Sequence, residues 1–350
     1  MGGRYTKFPT EKSNIRGTIY PKYLYQIGTR KLKVALIGSG RVSWDHLDVL
    51  NHFSNVDLVS IANRGKSDLK LIKETYGISK SFNDWEKMLA EVRPDLVFNL
   101  AGHYAIHPIS SYLLKNKIPC FIEKPPGMNL KETTDLLNLA KESNCMHKIG
   151  FNRRCYSTLQ KGISLIEEMG KLRAIHVDIP ENLEKQIEKN RFSQEVLDSW
   201  VIANSSHYLD LLIHLGGIIS TNHTFFGDSN KNTQKSYMGV VRFKNGCIGN
   251  YSGVWDTNEE LKFKLYGEKV VIEFFDLLSH AVAKYQDGTV REITFDEVDL
   301  LFKPGFYMQS KALIDEILKD DQESKKEIDL ESAVRTMAFM EKINQGLNQN

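Results

Sequence analysis

Short apolar runs alternate with amphipathic stretches along the first 150 residues of the chain. The run over residues 33–38 is almost wholly apolar, as expected for a strand buried on both faces of a parallel sheet. Similar runs occupy residues 56–62, 95–101, 120–123 and 146–151. The stretches between them predict helices at residues 44–53, 66–76, 84–92, 106–116 and 130–143. This alternation predicts an open parallel α/β sheet.

The pattern changes near Phe151, where predicted strands begin to follow one another directly. Asn245-Gly246 is the strongest short hairpin signal in this part of the chain. Strands are predicted at residues 237–243, 247–255, 261–266, 270–275, 281–285 and 290–295, and helices at 159–169, 197–215, 306–318 and 330–345. We therefore expect a polar arm (1–30), an α/β domain (31–151) and an α+β domain with an open, mostly antiparallel sheet (152–350).

Composition narrows the class of protein but names no function. The 350 residues agree with about two domains of roughly 150 residues each, and 41% hydrophobic with 26% charged residues is ordinary for a folded protein. Lys and Arg (46) nearly balance Asp and Glu (44), which argues against a nucleic-acid partner. No apolar run is long enough for a signal peptide core or a membrane span, and the four cysteines show no metal-ligand spacing. We expect a reduced, cytoplasmic protein with no membrane partner.

A glycine-rich motif follows the first predicted strand and opens a helix. In this motif Gly38 allows a tight turn and Gly40 lets the backbone approach a pyrophosphate. Ser43 stands at the position of the usual third glycine and is small enough to replace it. The helix N-terminus would face the phosphates with its partial positive charge. The residues expected to contact a dinucleotide are Gly38, Ser39, Gly40, Arg41 and Val42. The alternative is a purely structural turn.

The end of the second predicted strand carries Asn63 and Arg64 where NAD-binding chains often place a carboxylate. Asn63 can bond a hydroxyl or a phosphate oxygen, and Arg64 can pair with a 2′-phosphate or stack on adenine. We therefore expect NADP or NAD as the cofactor, with a preference for NADP. A solvated arginine in a loop is the other interpretation.

Two further groups of residues could carry chemistry. Glu123-Lys124-Pro125 follows the fourth predicted strand, at the sheet edge where ligands bind, and a lysine there can polarise a substrate oxygen. His207 and Asp210 are three residues apart on a predicted helix, and a histidine is the natural group to exchange a hydroxyl proton. The alternatives are a solvated Glu-Lys salt bridge and, for His207, a buried structural role or a metal site. No third metal ligand has a sensible spacing, so we expect no metal.

These motifs together resemble the glucose–fructose oxidoreductase / inositol dehydrogenase family over residues 31–275. The resemblance rests on Gly38-x-Gly40, Glu123-Lys124-Pro125, residues 150–154 (Gly-Phe-Asn-Arg-Arg) and His207-x-x-Asp210. It implies a Rossmann domain followed by an open-sheet domain that often serves as a subunit interface. We therefore expect a homodimer or homotetramer that transfers a hydride between NAD(P) and a ring carbon of a sugar or nucleotide sugar.

The resemblance also implies roles for individual residues. Lys124 and His207 would be catalytic, and Glu123, Lys124 and His107 would lie at the cofactor. The residues expected to orient the sugar are Asn152, Arg153, Asn204 and Asp210.

The sequence departs from the family pattern at three places. Many members carry Asp four residues and Gly two residues before the histidine, where this chain has Ala203 and Ser205, and the usual Thr-Pro is Gly102-His103. The Asn-Ser-Ser-His form resembles relatives in surface-polysaccharide and nucleotide-sugar chemistry. A dinucleotide-binding sensor without turnover, and an enzyme that uses bound NAD only transiently during an elimination or hydrolysis, are the alternative functions.

Overall fold

The computed structural model describes residues 30–65, 69–190, 192–227, 234–258, 260–319 and 329–349. The predicted arm lies outside these ranges except for Arg30, which pairs with Asp95 at 3.1 Å. Among the described residues, no helix is long and apolar enough to cross a membrane.

The first domain is built on six parallel strands in the order β3-β2-β1-β4-β5-β6, which is the order of a dinucleotide-binding Rossmann fold. The strands are β1 (Leu32–Ile37), β2 (Val56–Ala62), β3 (Lys80–Phe82), β4 (Leu96–Asn99), β5 (Cys120–Ile122) and β6 (His147–Ile149). The parallel α/β prediction is confirmed. The sequence analysis missed β3, because this edge strand is only three residues long and largely exposed.

The intervening helices are α1 (Arg41–Leu50), α2 (Leu69–Tyr76), α3 (Trp85–Val92), α4 (His103–Lys115) and α5 (Leu130–Ser143). The helices α1 and α4 each begin three residues earlier than predicted, directly after a glycine N-cap. Apolar periodicity alone therefore misplaced the two helix N-termini that lie nearest the glycine-rich motif.

The second domain contains a mixed sheet of eight strands in the order β14-β13-β12-β11-β7-β10-β9-β8. The strands are β7 (Leu172–Asp178), β8 (Ile219–Gly227), β9 (Ser236–Phe243), β10 (Ile248–Val254), β11 (Lys262–Gly267), β12 (Val270–Phe275), β13 (His280–Tyr285) and β14 (Val290–Thr294). Neighbouring strands pair antiparallel except β7 with β10, so the sheet is mostly antiparallel as expected. The predicted hairpin joins β9 to β10, with Gly246 at a φ of +90°.

The sequence analysis missed the central strand β7 and the edge strand β8. In β7, His176 and Asp178 alternate with the buried Ile175 and Val177 and lie on the less buried face of the sheet, and the exposed Arg173 interrupts the apolar run near its start. In β8 the polar residues outnumber the apolar ones, and its burial alternates along the strand. One face of this sheet is covered and the other is open, so both strands are half polar and lack a continuous apolar run.

The helices of the second domain cover the buried face of its sheet and place the histidine motif. They are α6 (Ser157–Met169), α7 (Leu183–Glu188), α8 (Gln194–Asp198) and α9 (Ser206–Gly216). The stretch predicted as one helix over residues 197–215 is divided, because a π-helical turn, Val201–Ser205, separates α8 from α9. Such turns recur at functional sites in proteins.

The last helices, α10 (Glu297–Leu301), α11 (Phe306–Lys319) and α12 (Asp329–Gln349), return to the first domain. Phe306 and Leu313 of α11 join the core on one face of the Rossmann sheet, and Leu330 of α12 joins the core on the other face. Further along α12, Met337 packs in the core of the second domain. The two domains therefore share these helices, and the division at residue 151 stays a prediction.

Candidate active site

The glycine-rich motif lines one wall of a cleft of about 440 Å³ at the carboxyl edge of the Rossmann sheet. Gly38 has a φ of +108°, and a Cβ there would lie 2.4 Å from the carbonyl oxygen of Leu100, so a side chain is excluded. Ser43 donates its hydroxyl to the carbonyl of Gly38 at 3.1 Å and holds the turn against α1. Gly40 has no heavy atom within 4 Å of its Cβ position, so its backbone is open to a ligand.

Two helix N-termini face this cleft. Gly40 and Gly102 are the N-caps of α1 and α4, both line the cleft, and neither has a side chain that can cap the helix. The buried hydroxyl of Ser39 also has no hydrogen-bond partner within the described ranges. Uncapped N–H groups and a partial positive charge form a ready site for phosphate. The observed residues therefore fit the pyrophosphate of a dinucleotide.

The end of β2 supplies the next part of the cleft wall. Asn63, Arg64 and Gly65 line the cleft together with Asn83 and Trp85. The nearby carboxylate of Asp84 accepts hydrogen bonds from the backbone N–H groups of α3 at 2.8 and 3.2 Å, so it is engaged in capping that helix. Asn63 and Arg64 are therefore placed to bind the 2′-hydroxyl or the 2′-phosphate of a dinucleotide ribose.

The Glu123-Lys124-Pro125 element follows β5, and neighbouring residues hold the Glu123 side chain in place. The Nε2 atom of His46 lies 3.3 Å from Glu123 Oε2, and the His46 ring is fully buried against Phe98 and Phe121. A Cβ on Gly150 would come within 2.9 Å of the same carboxylate oxygen. The Glu123 side chain is therefore held by packing and by His46, a residue that the sequence analysis did not single out.

Lys124 is directed toward the second domain. Its Nζ donates to the carbonyl oxygen of Ala203, in the π-helical turn, at 3.0 Å. Burial lowers the pKa of Lys124 to about 8, an effect that Arg153 and Lys303 reinforce and that Glu123 and Glu181 oppose. The ammonium has three N–H groups, so two remain for a ligand oxygen.

His207 lies in the first turn of α9, four residues after the carbonyl that holds Lys124. Burial lowers its pKa well below the ordinary value, and the positive charges of Lys124, Arg153 and Lys303 lower it further. Its Nδ1 atom is buried and has no hydrogen-bond partner in the described part of the chain. His207 is therefore neutral near pH 7 and can accept a proton.

Glu181 is a part of the site that the sequence analysis missed. Its carboxylate accepts hydrogen bonds from Ser205 Oγ (2.7 Å), Trp200 Nε1 (3.0 Å) and Asn204 Nδ2 (2.8 and 3.1 Å). Burial raises the pKa of Glu181, whereas these donors and the charge of Lys124 lower it. Glu181 thus fixes the turn whose carbonyl orients Lys124, and it supplies a negative charge near that lysine.

Asp210 is engaged with protein groups. Arg154 binds both of its oxygens, at 2.7 and 2.5 Å, and Thr336 donates to Oδ1 at 2.9 Å. The carboxylate is almost completely buried. Asp210 therefore holds Arg154 and α9 in place, and its contact with a sugar stays a prediction.

The structure places the other predicted residues as follows. Asn152 is buried and donates to the carbonyl of Pro304 at 3.0 Å. Arg153 stacks on the ring of Tyr208, with its guanidinium carbon 3.7 Å from the centroid. The amide nitrogen of Asn204 is engaged by Glu181, although its side chain is exposed. Their contact with a sugar stays a prediction.

The first turn of α4 places His103 near Glu123 and Lys124. Burial and the charge of Lys124 lower the pKa of His103, whereas Glu123 raises it. The Nε2 atom of His107 is buried and unpaired among the described side chains. In the sequence, the signal for His103 was its position in Gly102-His103, where the family pattern usually has Thr-Pro.

Within the residues that the structure describes, no group of three or more His, Cys, Asp or Glu side chains could hold a metal ion.

A scan against protein families matches residues 32–151 to the Gfo/Idh/MocA oxidoreductase family, described as having an NAD-binding Rossmann fold. Among curated proteins, myo-inositol 2-dehydrogenase of Thermotoga maritima is 24% identical over 146 residues, which are 42% of this chain and 43% of that protein. The chain matches less than half the length of such curated relatives. The match confirms the predicted family resemblance for the first domain.

Solved structures extend the fold similarity to nearly the whole chain. A Gfo/Idh/MocA family oxidoreductase from Vibrio cholerae has a TM-score of 0.74 and 18% identity, covering 91% of this chain and 99% of that one. A UDP-N-acetylglucosamine 3-dehydrogenase from Acidithiobacillus ferrooxidans has a TM-score of 0.72 and 14% identity, covering 90% and 97%. At these identities the similarity establishes the shared fold of both domains.

Replacement of Gly40 by alanine separates dinucleotide binding from folding. The φ of Gly40 is −68° and its Cβ position is free of contacts, so Gly40→Ala is expected to leave the thermal unfolding midpoint unchanged or slightly raised. The added methyl group occupies space beside the phosphate site, so the Kd for NADH or NADPH should rise about tenfold or more, as measured by fluorescence titration. Gly38→Ala is the contrasting variant and should lose both stability and binding. An unchanged Kd for Gly40→Ala would contradict the placement of the pyrophosphate.

Proposed function

Because residues 32–151 belong to the NAD-binding Gfo/Idh/MocA oxidoreductase family, we propose that this chain is an NAD(P)-dependent dehydrogenase or reductase of sugar hydroxyl groups. The observation that carries the proposal is the convergence of Lys124 and His207: the Lys124 ammonium donates to the carbonyl of Ala203, four residues before His207, and its charge lowers the pKa of that histidine. The relatives named above act on a cyclitol and on a nucleotide sugar, and we propose a sugar or nucleotide sugar as the substrate here. A place in surface-polysaccharide synthesis stays a prediction.

The bound dinucleotide supplies a nicotinamide that exchanges a hydride with the CH–OH carbon of the sugar. Lys124 donates a hydrogen bond to the substrate oxygen and stabilises negative charge on it. His207, neutral because of burial and the surrounding cations, accepts the hydroxyl proton during oxidation and returns it during reduction. The carbonyl of Ala203 accepts a hydrogen bond from the Lys124 ammonium and so fixes its direction during the transfer.

NADP or NAD fits the cleft, and Asn63 and Arg64 favour NADP. These two residues line the cleft where the ribose of the adenosine lies in Rossmann domains. The guanidinium of Arg64 can pair with a 2′-phosphate through two parallel hydrogen bonds.

Removal of the Lys124 amine tests the proposed chemistry directly. Lys124→Met should lower kcat for NAD(P)-dependent oxidation of a responsive sugar by about 100-fold or more, because the oxygen loses its positively charged donor. The Kd for the dinucleotide should change little, since Lys124 lies outside the residues that line the cleft. Absorbance of the reduced nicotinamide measures turnover, and the exposed Lys87→Met is the matched control. Full turnover by Lys124→Met would overturn the assigned role.

The pH dependence of kcat/KM tests the two protonation states. The activity needs protonated Lys124 and neutral His207, so it should decline as the pH rises through about 8 and should persist below pH 6.5. The charge of Glu181 raises the pKa of Lys124, so Glu181→Gln should move the alkaline limb down by roughly half a pH unit to one unit. The exposed Glu188→Gln is the control. An alkaline limb that does not move in Glu181→Gln would contradict this coupling.

We also propose that a second copy of the chain covers the open face of the eight-stranded sheet. Phe225, Met238, Val240 and Ile248 are exposed by 75%, 57%, 55% and 49%, although they are large and apolar. They lie on the neighbouring strands β8, β9 and β10, with Phe225 directly opposite Met238. A contiguous apolar patch of this kind marks an interaction surface.

The native mass tests this interface. Sedimentation equilibrium should give a dimer or tetramer of the 40.1 kDa chain. Val240→Glu places a charge in the patch and should produce a monomer, whereas Leu71→Glu, on the exposed surface of α2, should leave the mass unchanged. A monomeric wild-type protein would reject the interface.

A further inference from the structure

Two cations beside the proposed reacting groups have no role in the chemistry described so far. Arg153 stacks on Tyr208, the residue after His207, and its Nη1 atom is buried without a hydrogen-bond partner among the described residues. Asn152, the residue before Arg153, donates to the carbonyl of Pro304 at 3.0 Å. This hydrogen bond brings the segment that contains Lys303, the residue before Pro304, close to the segment of Arg153. Arg153 and Lys303 therefore approach His207 from two different segments.

The charges that act on His207 in the described structure are all positive. Burial is the largest cause of its lowered pKa, and Lys124, Arg153 and Lys303 add to it. Two of these cations have carboxylates beside them: Lys303 pairs with Asp45 at 2.8 Å, and Glu123 and Glu181 raise the pKa of Lys124. Arg153, in contrast, forms no ion pair with a carboxylate among the described side chains. The guanidinium of Arg153 is thus the positive charge beside His207 that no described carboxylate offsets.

The phosphates of the dinucleotide do not account for this excess. The residues that line the dinucleotide cleft lie between Ile37 and Ile109, whereas Arg153 and Lys303 belong to later elements. A single ammonium, that of Lys124, is sufficient to stabilise charge on the reacting oxygen. A further anionic group would complement the charge of Arg153.

We propose that the substrate is an acidic sugar derivative whose oxyanion is bound by Arg153, with Lys303 beside it. This inference rests on the proposed function and specifies its substrate class. The planar guanidinium, held flat against Tyr208, presents N–H groups that match a carboxylate or a phosphate. A uronic or aldonic acid would bring a carboxylate and a nucleotide sugar a diphosphate, and the experiment distinguishes these sources.

The test compares pairs of ligands that differ in the charged group. One pair is glucuronate and its methyl ester, and the other is UDP-N-acetylglucosamine and free N-acetylglucosamine. In at least one pair, the charged member should have a kcat/KM about tenfold or more above that of its neutral partner. The charged member should also raise the thermal unfolding midpoint of the protein–dinucleotide complex more than the neutral member does. A preference for the charged member in the glucuronate pair identifies a carboxylate as the oxyanion, and a preference in the UDP-N-acetylglucosamine pair identifies a diphosphate.

Variants connect the preference to Arg153. Arg153→Gln should reduce the preference for the charged member to about twofold or less through a higher KM, and Arg153→Lys should retain part of it. Lys303→Met, at an exposed position, should weaken the preference without the loss of packing that accompanies a change at Arg153. The control Lys87→Met should keep the wild-type preference.

The outcomes separate the inference from the proposed function. Equal or better use and binding of the neutral members by the wild-type protein would overturn the inference while leaving the dehydrogenase proposal intact. Absence of nicotinamide reduction with every sugar would overturn the proposed function. In that case the shift in unfolding midpoint still decides the inference. The inference stands if the charged ligand no longer shifts the midpoint of Arg153→Gln, and it fails if the shift is unchanged in that variant.

Discussion

The geometry of the proposed reacting groups, Lys124 and His207, depends on the buried ion pair between Arg154 and Asp210. Arg154 follows the first domain directly, Asp210 lies one turn after His207 in α9, and Thr336 of α12 donates to the same carboxylate. Loss of one partner from such a pair costs about 3–5 kcal/mol, because the other charge is left buried and unpaired. The pair therefore holds α9 against the segment that directly follows β6, and with it the position of His207 relative to Lys124.

The positive environment of the site coexists with a chain whose charges nearly cancel. The net charge is +2, but Lys124, Arg153 and Lys303 gather around one histidine. Burial of Lys124 disfavours its charged form, and the partly buried Glu181 and the carbonyl of Ala203 offset that cost. The site is thus an arrangement of opposed local charges, in which each side chain sets the protonation of the next.

The sequence predicted those parts of the site that are local in the chain. The glycine-rich turn and the Glu123-Lys124-Pro125 element each combine a strand end with adjacent polar residues, so their positions follow from the order of strands and helices. His46, Glu181 and Lys303 reach the site only through tertiary contacts over many residues, and no spacing marks them. Strand β7 was missed for a related reason, since His176 and Asp178 face the open side of a sheet that only long-range pairing creates.

The glycine N-caps of α1 and α4 have a consequence for the energetics of the apo protein. The described side chains leave the first N–H groups of both helices without a cap, so these helix ends depend on water in the absence of ligand. A bound pyrophosphate satisfies such groups in the native state and has no comparable partner in the unfolded chain. A bound dinucleotide would therefore stabilise the native state as a folding ligand, and amide hydrogen exchange in the first turns of α1 and α4 would report its occupancy.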